Sequence, residues 1–500
     1  MLEMQFQKQP VSCLEPVLRE VYRGEQTQEL RLPDGLPDVG KVLCAWGQPI
    51  LRSKEWQRDK VAFSGGMMVW VLYMPEDGSA EQCLDAWIPF QMKWDLPETA
   101  AEGTVRLQCR TRFVDGRSVS PRKILVRAGM GVLAEAFSPM EEELYIPEKT
   151  PEGLELKRSR YPLRMVVEAG EKSFSMDEEL TFPGSAPQPE QLLYYTMQPR
   201  ISEKKVLSDR LVFRGNGELH LLYRSEEGQL HSWDFSVPFS QFTELEKEHG
   251  TDAQPDLMFC PTNLELELDQ EGHLRLKAGL TAQYLITDQQ MLEVVEDAYS
   301  PDRELEIRRQ ELQLPVILDR RRENLYAEQT LPAVGNLVAD VSLNTDFPRT
   351  NRMGESVDVE VPGIFQALYY GEDSRLEGLT SRWEGQLSQR SDPDSQLSVM
   401  PVPGPEAQAM LGSGNMTLRG EVPLEMTTMI RQRIPMVSGV ELGQQRQADP
   451  GRPSLILRRR GNMDLWDLAK TSGSTVDAIR RANRLEEEPA PGQMLLIPVK

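Results

Sequence analysis

A thirteen-residue segment that recurs at a near-constant interval constrains this chain more than any other feature. Val61-Ala-Phe-Ser-Gly-Gly-Met-Met-Val-Trp-Val-Leu-Tyr73 is matched by Leu211-Val-Phe-Arg-Gly-Asn-Gly-Glu-Leu-His-Leu-Leu-Tyr223. Val357-Asp-Val-Glu-Val-Pro-Gly-Ile-Phe-Gln-Ala-Leu-Tyr369 is a third, looser copy. Each holds glycine near its middle and closes on Leu-Tyr. The closing tyrosines lie 150 and 146 residues apart. That interval is the size of one small domain, so the chain reads as three tandem modules. A second motif keeps the step: Pro33, Pro183 and Pro332, each ending a short extended run, are spaced by 150 and 149 residues.

The fold class follows from the local patterns. Val61 to Trp94 reads as two long strands joined by an acidic turn at Glu76-Asp-Gly78. Leu264-Glu-Leu-Glu-Leu268 and His273-Leu-Arg-Leu-Lys277 alternate with the period of two that half-buried strands require. Short helices are expected only at Gly131–Phe137 and Met291–Ala298. The expectation is a mainly β protein. Three antiparallel sandwich or barrel-like modules would occupy 1–140, 155–300 and 305–445. Ser138–Glu143 and Tyr299–Arg303 read as linkers, Asp392–Glu406 as a loop, and 446–453 as a tether.

Residues 454–500 have a different grammar. Leu455-Ile-Leu-Arg-Arg-Arg460 reads as a strand. Asp464 is placed to cap a helix from Leu465, since a carboxylate can satisfy free N–H groups there. Gly473 ends that helix, Thr475 opens a second through Asn483, and Met494–Pro498 closes as a strand. Strand–helix–helix–strand is the order of a small α+β unit.

Charge narrows the function classes. A net charge of −22 and a pI near 4.8 argue against nucleic acid and against adsorption to anionic membranes. The N-terminal stretch lacks the pattern of a signal peptide, and no run approaches the length of a spanning helix. Five irregularly spaced cysteines fit reduced thiols of a cytosolic protein.

No catalytic constellation emerges. His220 and His231 share one hairpin without further ligands at metal-binding spacing, and the glycine pairs lack the helix and lysine of a phosphate loop. The expectation is a non-enzymatic protein without metal or cofactor. Trp46, Trp56, Trp70, Trp87 and Trp94 crowd the first module. They invite a carbohydrate-platform reading, but core and inter-module packing is favoured over it, and the cluster makes the first module the expected self-association or docking face.

Two family resemblances add to this. The tail resembles a LysM domain through Gly461, Asp464-Leu-Trp466-Asp-Leu-Ala469, Thr475-Val-Asp-Ala-Ile479, Ala482-Asn-Arg-Leu485, Pro491-Gly-Gln493 and Leu496-Ile-Pro498. Its opening loop is one residue longer than usual, at the place that lines the glycan groove in sugar-binding LysM domains. The first module resembles the SPOCS domain of spore coat proteins. Leu32-Pro-Asp-Gly-Leu-Pro-Asp38, Ala45-Trp-Gly47, Arg52–Trp56, Met68–Tyr73 and Trp87–Trp94 carry the likeness, and the later modules share it more loosely. SPOCS modules followed by LysM is similar to a coat-morphogenesis family of anaerobic spore formers.

That resemblance implies a scaffold of endospore coat assembly, in the mother-cell cytoplasm at the forespore surface. Its partners would be a polymerised coat-basement ATPase, docked by the LysM tail, and other coat proteins. Peptidoglycan or chitin-type glycan binding is the alternative. The candidate contact residues are Asn462, Met463, Asp464 and Leu465 on the first tail loop, and Asn483, Arg484 and Leu485 on the second. The tail carries eight basic and six acidic residues, a charge of +2 against −24 for the rest. That contrast would steer it toward an acidic surface.

Overall fold

The computed structural model describes residues 2–97, 100, 102–446, 453–459 and 463–499. Strands β1 (Leu2–Met4), β2 (Phe6–Arg31), β3 (Val39–Gln57), β4 (Lys60–Pro75), β5 (Gln82–Asp95), β6 (Thr104–Ser120) and β7 (Lys123–Pro147) come first. They build two antiparallel three-stranded sheets, ordered β2-β7-β6 and β3-β4-β5. In β5, Ile88, Phe90, Met92 and Trp94 point inward while Pro89, Gln91, Lys93 and Asp95 face solvent. This alternation lets one sheet close over the other, sealing Val61, Phe63, Leu107, Ile124 and Val126 between them.

The pattern repeats. Strands β8 (Glu155–Thr181), β9 (Pro189–Leu207), β10 (Arg210–Ser225), β11 (Leu230–Glu244), β12 (Gln254–Leu268) and β13 (His273–Tyr299) give sheets β12-β13-β8 and β11-β10-β9. The third repeat comprises β14 (Arg303–Pro332), β15 (Gly335–Thr345), β16 (Arg349–Met353), β17 (Ser356–Gly371), β18 (Leu376–Arg390), β19 (Ser395–Pro401), β20 (Ala407–Leu411) and β21 (Asn415–Gln445). Here β14, β19, β20 and the N-terminal β1 all pair with β21, and β15, β16 and β18 pair with β17. All these sheets stay open, so the barrel-like alternative is set aside.

The repeats interlock rather than follow one another as beads. Leu72, Leu222 and Leu368, equivalent positions of the three motif copies, sit in one buried cluster with Trp46, Trp70 and Tyr194. Equivalent residues meeting at one point require a closed, threefold-like arrangement. Gly378 marks how tightly it closes, since a Cβ there would stand 1.8 Å from the Leu43 carbonyl oxygen. Below the sandwiches, the long strands continue as three two-stranded ribbons, β2 with β7, β8 with β13, and β14 with β21. The ribbons share a second axial core of Val11, Leu144, Met165, Val294, Leu314 and Ile434. We refer to the two parts as head and stalk.

Several expectations are corrected. Gly131–Phe137 is strand, in the middle of β7, and so is Met291–Ala298, in β13. The first is buried on both faces and therefore loses its alternation. The second has its alternation broken by a bulge between Val295 and Asp297. Ser138–Glu143 is no linker but part of β7, paired with β2 as stalk. Asp392–Glu406 contains β19.

The tryptophans divide between core and module junctions. Trp94 lies in the first module's core with Trp56 against it. Trp46 stacks on Tyr194 of the second module with centroids 4.2 Å apart and planes 4° from parallel. Trp70 contacts Tyr194 and Tyr195, and Trp87 packs on the second module's core. The docking-face reading of Trp46 and Trp70 therefore fails, because their own chain covers them.

Candidate functional site

The tail follows as β22 (Leu455–Arg459), α1 (Leu465–Ser472), α2 (Val476–Asn483) and β23 (Met494–Pro498), with β22 and β23 antiparallel. Its core is Leu465, Leu468, Ala469, Ile479, Leu495 and Ile497, sandwiched between the helices and one face of the two-stranded sheet. The other face carries Leu455, Leu457, Met494 and Leu496, which are 52, 62, 51 and 39% exposed. Leu457 and Leu496 are cross-strand neighbours, so these side chains form one patch.

The candidate loop residues hold the tail together. The Asp464 carboxylate caps α1, accepting from the Asp467 N–H at 2.7 Å, and pairs with Lys157 of the stalk at 3.2 Å. Leu465 is buried, and its N–H donates to Glu488 at 3.2 Å. Asn483 clamps β23, donating to the Leu496 carbonyl at 2.6 Å and accepting from its N–H at 2.8 Å. Arg484 is the left-handed C-cap of α2 at φ 52°. Leu485 is half-buried against the tail core, and Met463 is half-buried. Asn462 lies outside the described residues.

The tail also rests on the stalk, which its sequence alone did not signal. The Trp466 indole N–H donates to Asp297 Oδ2 at 2.9 Å, and Lys470 reaches the same oxygen at 2.5 Å. Arg309 binds the other carboxylate oxygen at 2.8 Å. Burial pushes the Asp297 carboxyl up, but Lys470, Trp466 and Arg309 outweigh it and hold the group below the usual carboxylate range. Tyr299 meets Trp466 edge to face at 4.7 Å, and its hydroxyl donates to the Ser474 carbonyl at 3.1 Å.

A second site lies on the axis, between head and stalk. A cavity of about 860 Å³ is lined from all three modules. Arg106, only 4% exposed, bridges Glu135 at 2.6 Å and Asp256 of the second module at 2.9 Å. Arg19 shares Glu135 at 3.2 Å. Burial raises the Asp256 carboxyl, yet Arg106, Arg320 and Lys204 together bring it down to about 2. Arg110 ties the first module to the third through Thr345 Oγ1 at 3.0 Å and the Pro401 carbonyl. Burial lowers its guanidinium to about 10. Sequence reasoning missed this site. Arg106, Gln108 and Arg110 alternate with Leu107 and Cys109, a pattern that reads as a strand with a wet face. Here that face lines a cavity.

His220 and His231 do not meet. His220 pairs with Asp234 and His231 with Tyr223, which puts the two on opposite faces of the hairpin. His220 bridges Asp234 at 2.7 Å and Asp340 of the third module at 3.0 Å. Burial opposes its charge, but the two carboxylates raise it to about 10. Among the described residues, no group of three or more His, Cys, Asp or Glu could hold a metal ion. No helix among them is long and apolar enough to cross a membrane.

No curated protein and no solved structure matches the chain. Residues 188–268 match a family model described as SipL, SPOCS domain. That stretch runs from the residue before β9 to the end of β12, one repeat beyond the residues that carry the resemblance in the first module. The second module thus contains a SPOCS-type segment, and with it the chain is linked to a sporulation-related role.

Proposed function

We propose that the protein is a non-enzymatic scaffold of endospore coat assembly, whose LysM-like tail docks onto a polymerised coat-basement ATPase. The head would brace or recruit other coat proteins, in the mother-cell cytoplasm at the forespore surface. The observation that carries this reading is the outward apolar face of the tail's sheet, Leu455, Leu457, Met494 and Leu496. Contiguous exposed apolar residues mark interaction sites, and each of these is substantially exposed in a unit too small to waste them. The basic tail on an acidic body supports an acidic partner surface. Asp464, Leu465 and Asn483 are committed to contacts within the chain, which favours protein docking over a glycan groove.

The test is co-purification of the full chain with the ATPase, comparing wild type with the double variant Leu457→Glu, Leu496→Glu. The pair of charges should abolish capture while leaving the circular dichroism spectrum unchanged. Undiminished capture by the folded variant refutes docking through this face. Saturable binding of muropeptides or chitin fragments instead would move the assignment to glycan recognition.

A further inference from the structure

We propose that the axial cavity binds a small amphipathic organic anion. Its charged group would be received on the Arg320–Lys204 side and its apolar body by the floor of Phe137, Val166, Leu285 and Ile317. The volume, about 860 Å³, lies within the range that encloses small organic ligands. Three observations fix the class.

The first is a charge imbalance. Seven basic residues line the cavity against five carboxylates. Three further arginines are matched in number by Glu406, Glu421 and Glu425, which leaves Arg19, Arg106, Arg320 and Lys204 with Glu135 and Asp256, and Arg19 and Arg106 share Glu135. Asp256 binds Arg106 directly and lies within electrostatic reach of Arg320 and Lys204. Among the described residues, neither Arg320 nor Lys204 has a carboxylate within ion-pair distance. This part of the wall therefore has two cations in excess, in a chain whose net charge is −22. Lys204 is exposed and Arg320 half-buried, but the Arg320 Nε is closed off from solvent, and the planar guanidinium fork matches an oxyanion.

The second is an unmet donor. Arg320 gives one hydrogen bond, to Thr287 Oγ1 at 3.1 Å, and its buried Nε has no acceptor. Native structures rarely leave such atoms unpaired without reason. The third is the floor. Phe137, Val166, Leu285 and Ile317 form one apolar cluster, and Thr287 pairs with Val166, which sets the polar group beside it. A bare inorganic anion would leave that surface wet, and a neutral ligand would leave Arg320 unpaired.

Titration of the full chain with anilinonaphthalene sulfonate, an aromatic anion that fluoresces when desolvated, tests the proposal. Using Leu457→Glu, Leu496→Glu as background removes the exposed tail patch as a competing dye site. Saturable binding at constant ionic strength is expected, displaced by decanoate and not by decanol. Arg320→Gln with Lys204→Gln should weaken it roughly ten-fold or more, the worth of a charge-assisted hydrogen bond, with the melting curve retained. Equal binding by the folded double variant, displacement by decanol as readily as by decanoate, or absence of saturable binding would each overturn it.

Discussion

Two tryptophans hold two junctions of this molecule, by opposite means. Trp46 joins the first and second modules by lying flat on Tyr194, 3% exposed, with its indole N–H left without an acceptor. Trp466 joins tail to stalk at 9% exposure, its N–H given to an aspartate that Lys470 and Arg309 also hold. The first contact is a dry stack that tolerates an unpaired donor because packing outweighs it. The second is a polar network around one carboxylate, weakened by salt and by acid. The head is therefore built to stay assembled, whereas the tail is held by a contact that solution conditions can loosen.

Trp46→Ala should give the largest effect. Removing a buried indole costs about 3–5 kcal/mol, and chemical denaturation should show that loss together with new protease cleavage in the head. A change below 1 kcal/mol would mean that the stack is incidental and the head closes by its other contacts. Asp297→Ala comes next, at about 2–3 kcal/mol, because it strands the Trp466 indole N–H and the Lys470 ammonium. Its signature is local: the tail becomes protease-labile while the melting of the head is unchanged.

Acid offers the same test without mutation. The Asp297 carboxyl is depressed in the folded state, so its contribution is complete above the unfolded value of about 3.9. It is lost as pH falls through the lower folded value. Proteolysis of the wild type should therefore stay slow at pH 5 and quicken only below about pH 4. The Asp297→Asn variant should lack that step. Lys157→Ala is the smallest, about 0–1 kcal/mol, since its pair with Asp464 is more than a third exposed on both sides.

How much of this was readable beforehand depends on how local the cause is. The repeat step, the strand-rich character and the order of the tail elements rest on short-range patterns. So does the Asp464 cap, which needs only a carboxylate three residues before the N–H it receives. The threefold closure was not readable, because it rests on pairs such as His220 with Asp340 and Arg106 with Asp256 that no local period encodes. Gly131–Phe137 was misread for the same reason. Its surroundings bury both faces, and the alternation that would have announced a strand is erased. Of the loop residues expected to meet a partner, Asp464 and Asn483 hold the tail's own backbone.

The short first strand has a consequence for how the molecule is made. β1 pairs with β21, with Leu2 opposite Leu442. Leu2–Met4 cannot reach these neighbours until Val440–Leu442, on the far side of all three repeats, have been synthesised. The stalk core is likewise shared by all three ribbons, so a nascent first module would present Val11 and Leu144 without their partners. Completion of the third ribbon is thus the event that seals the first.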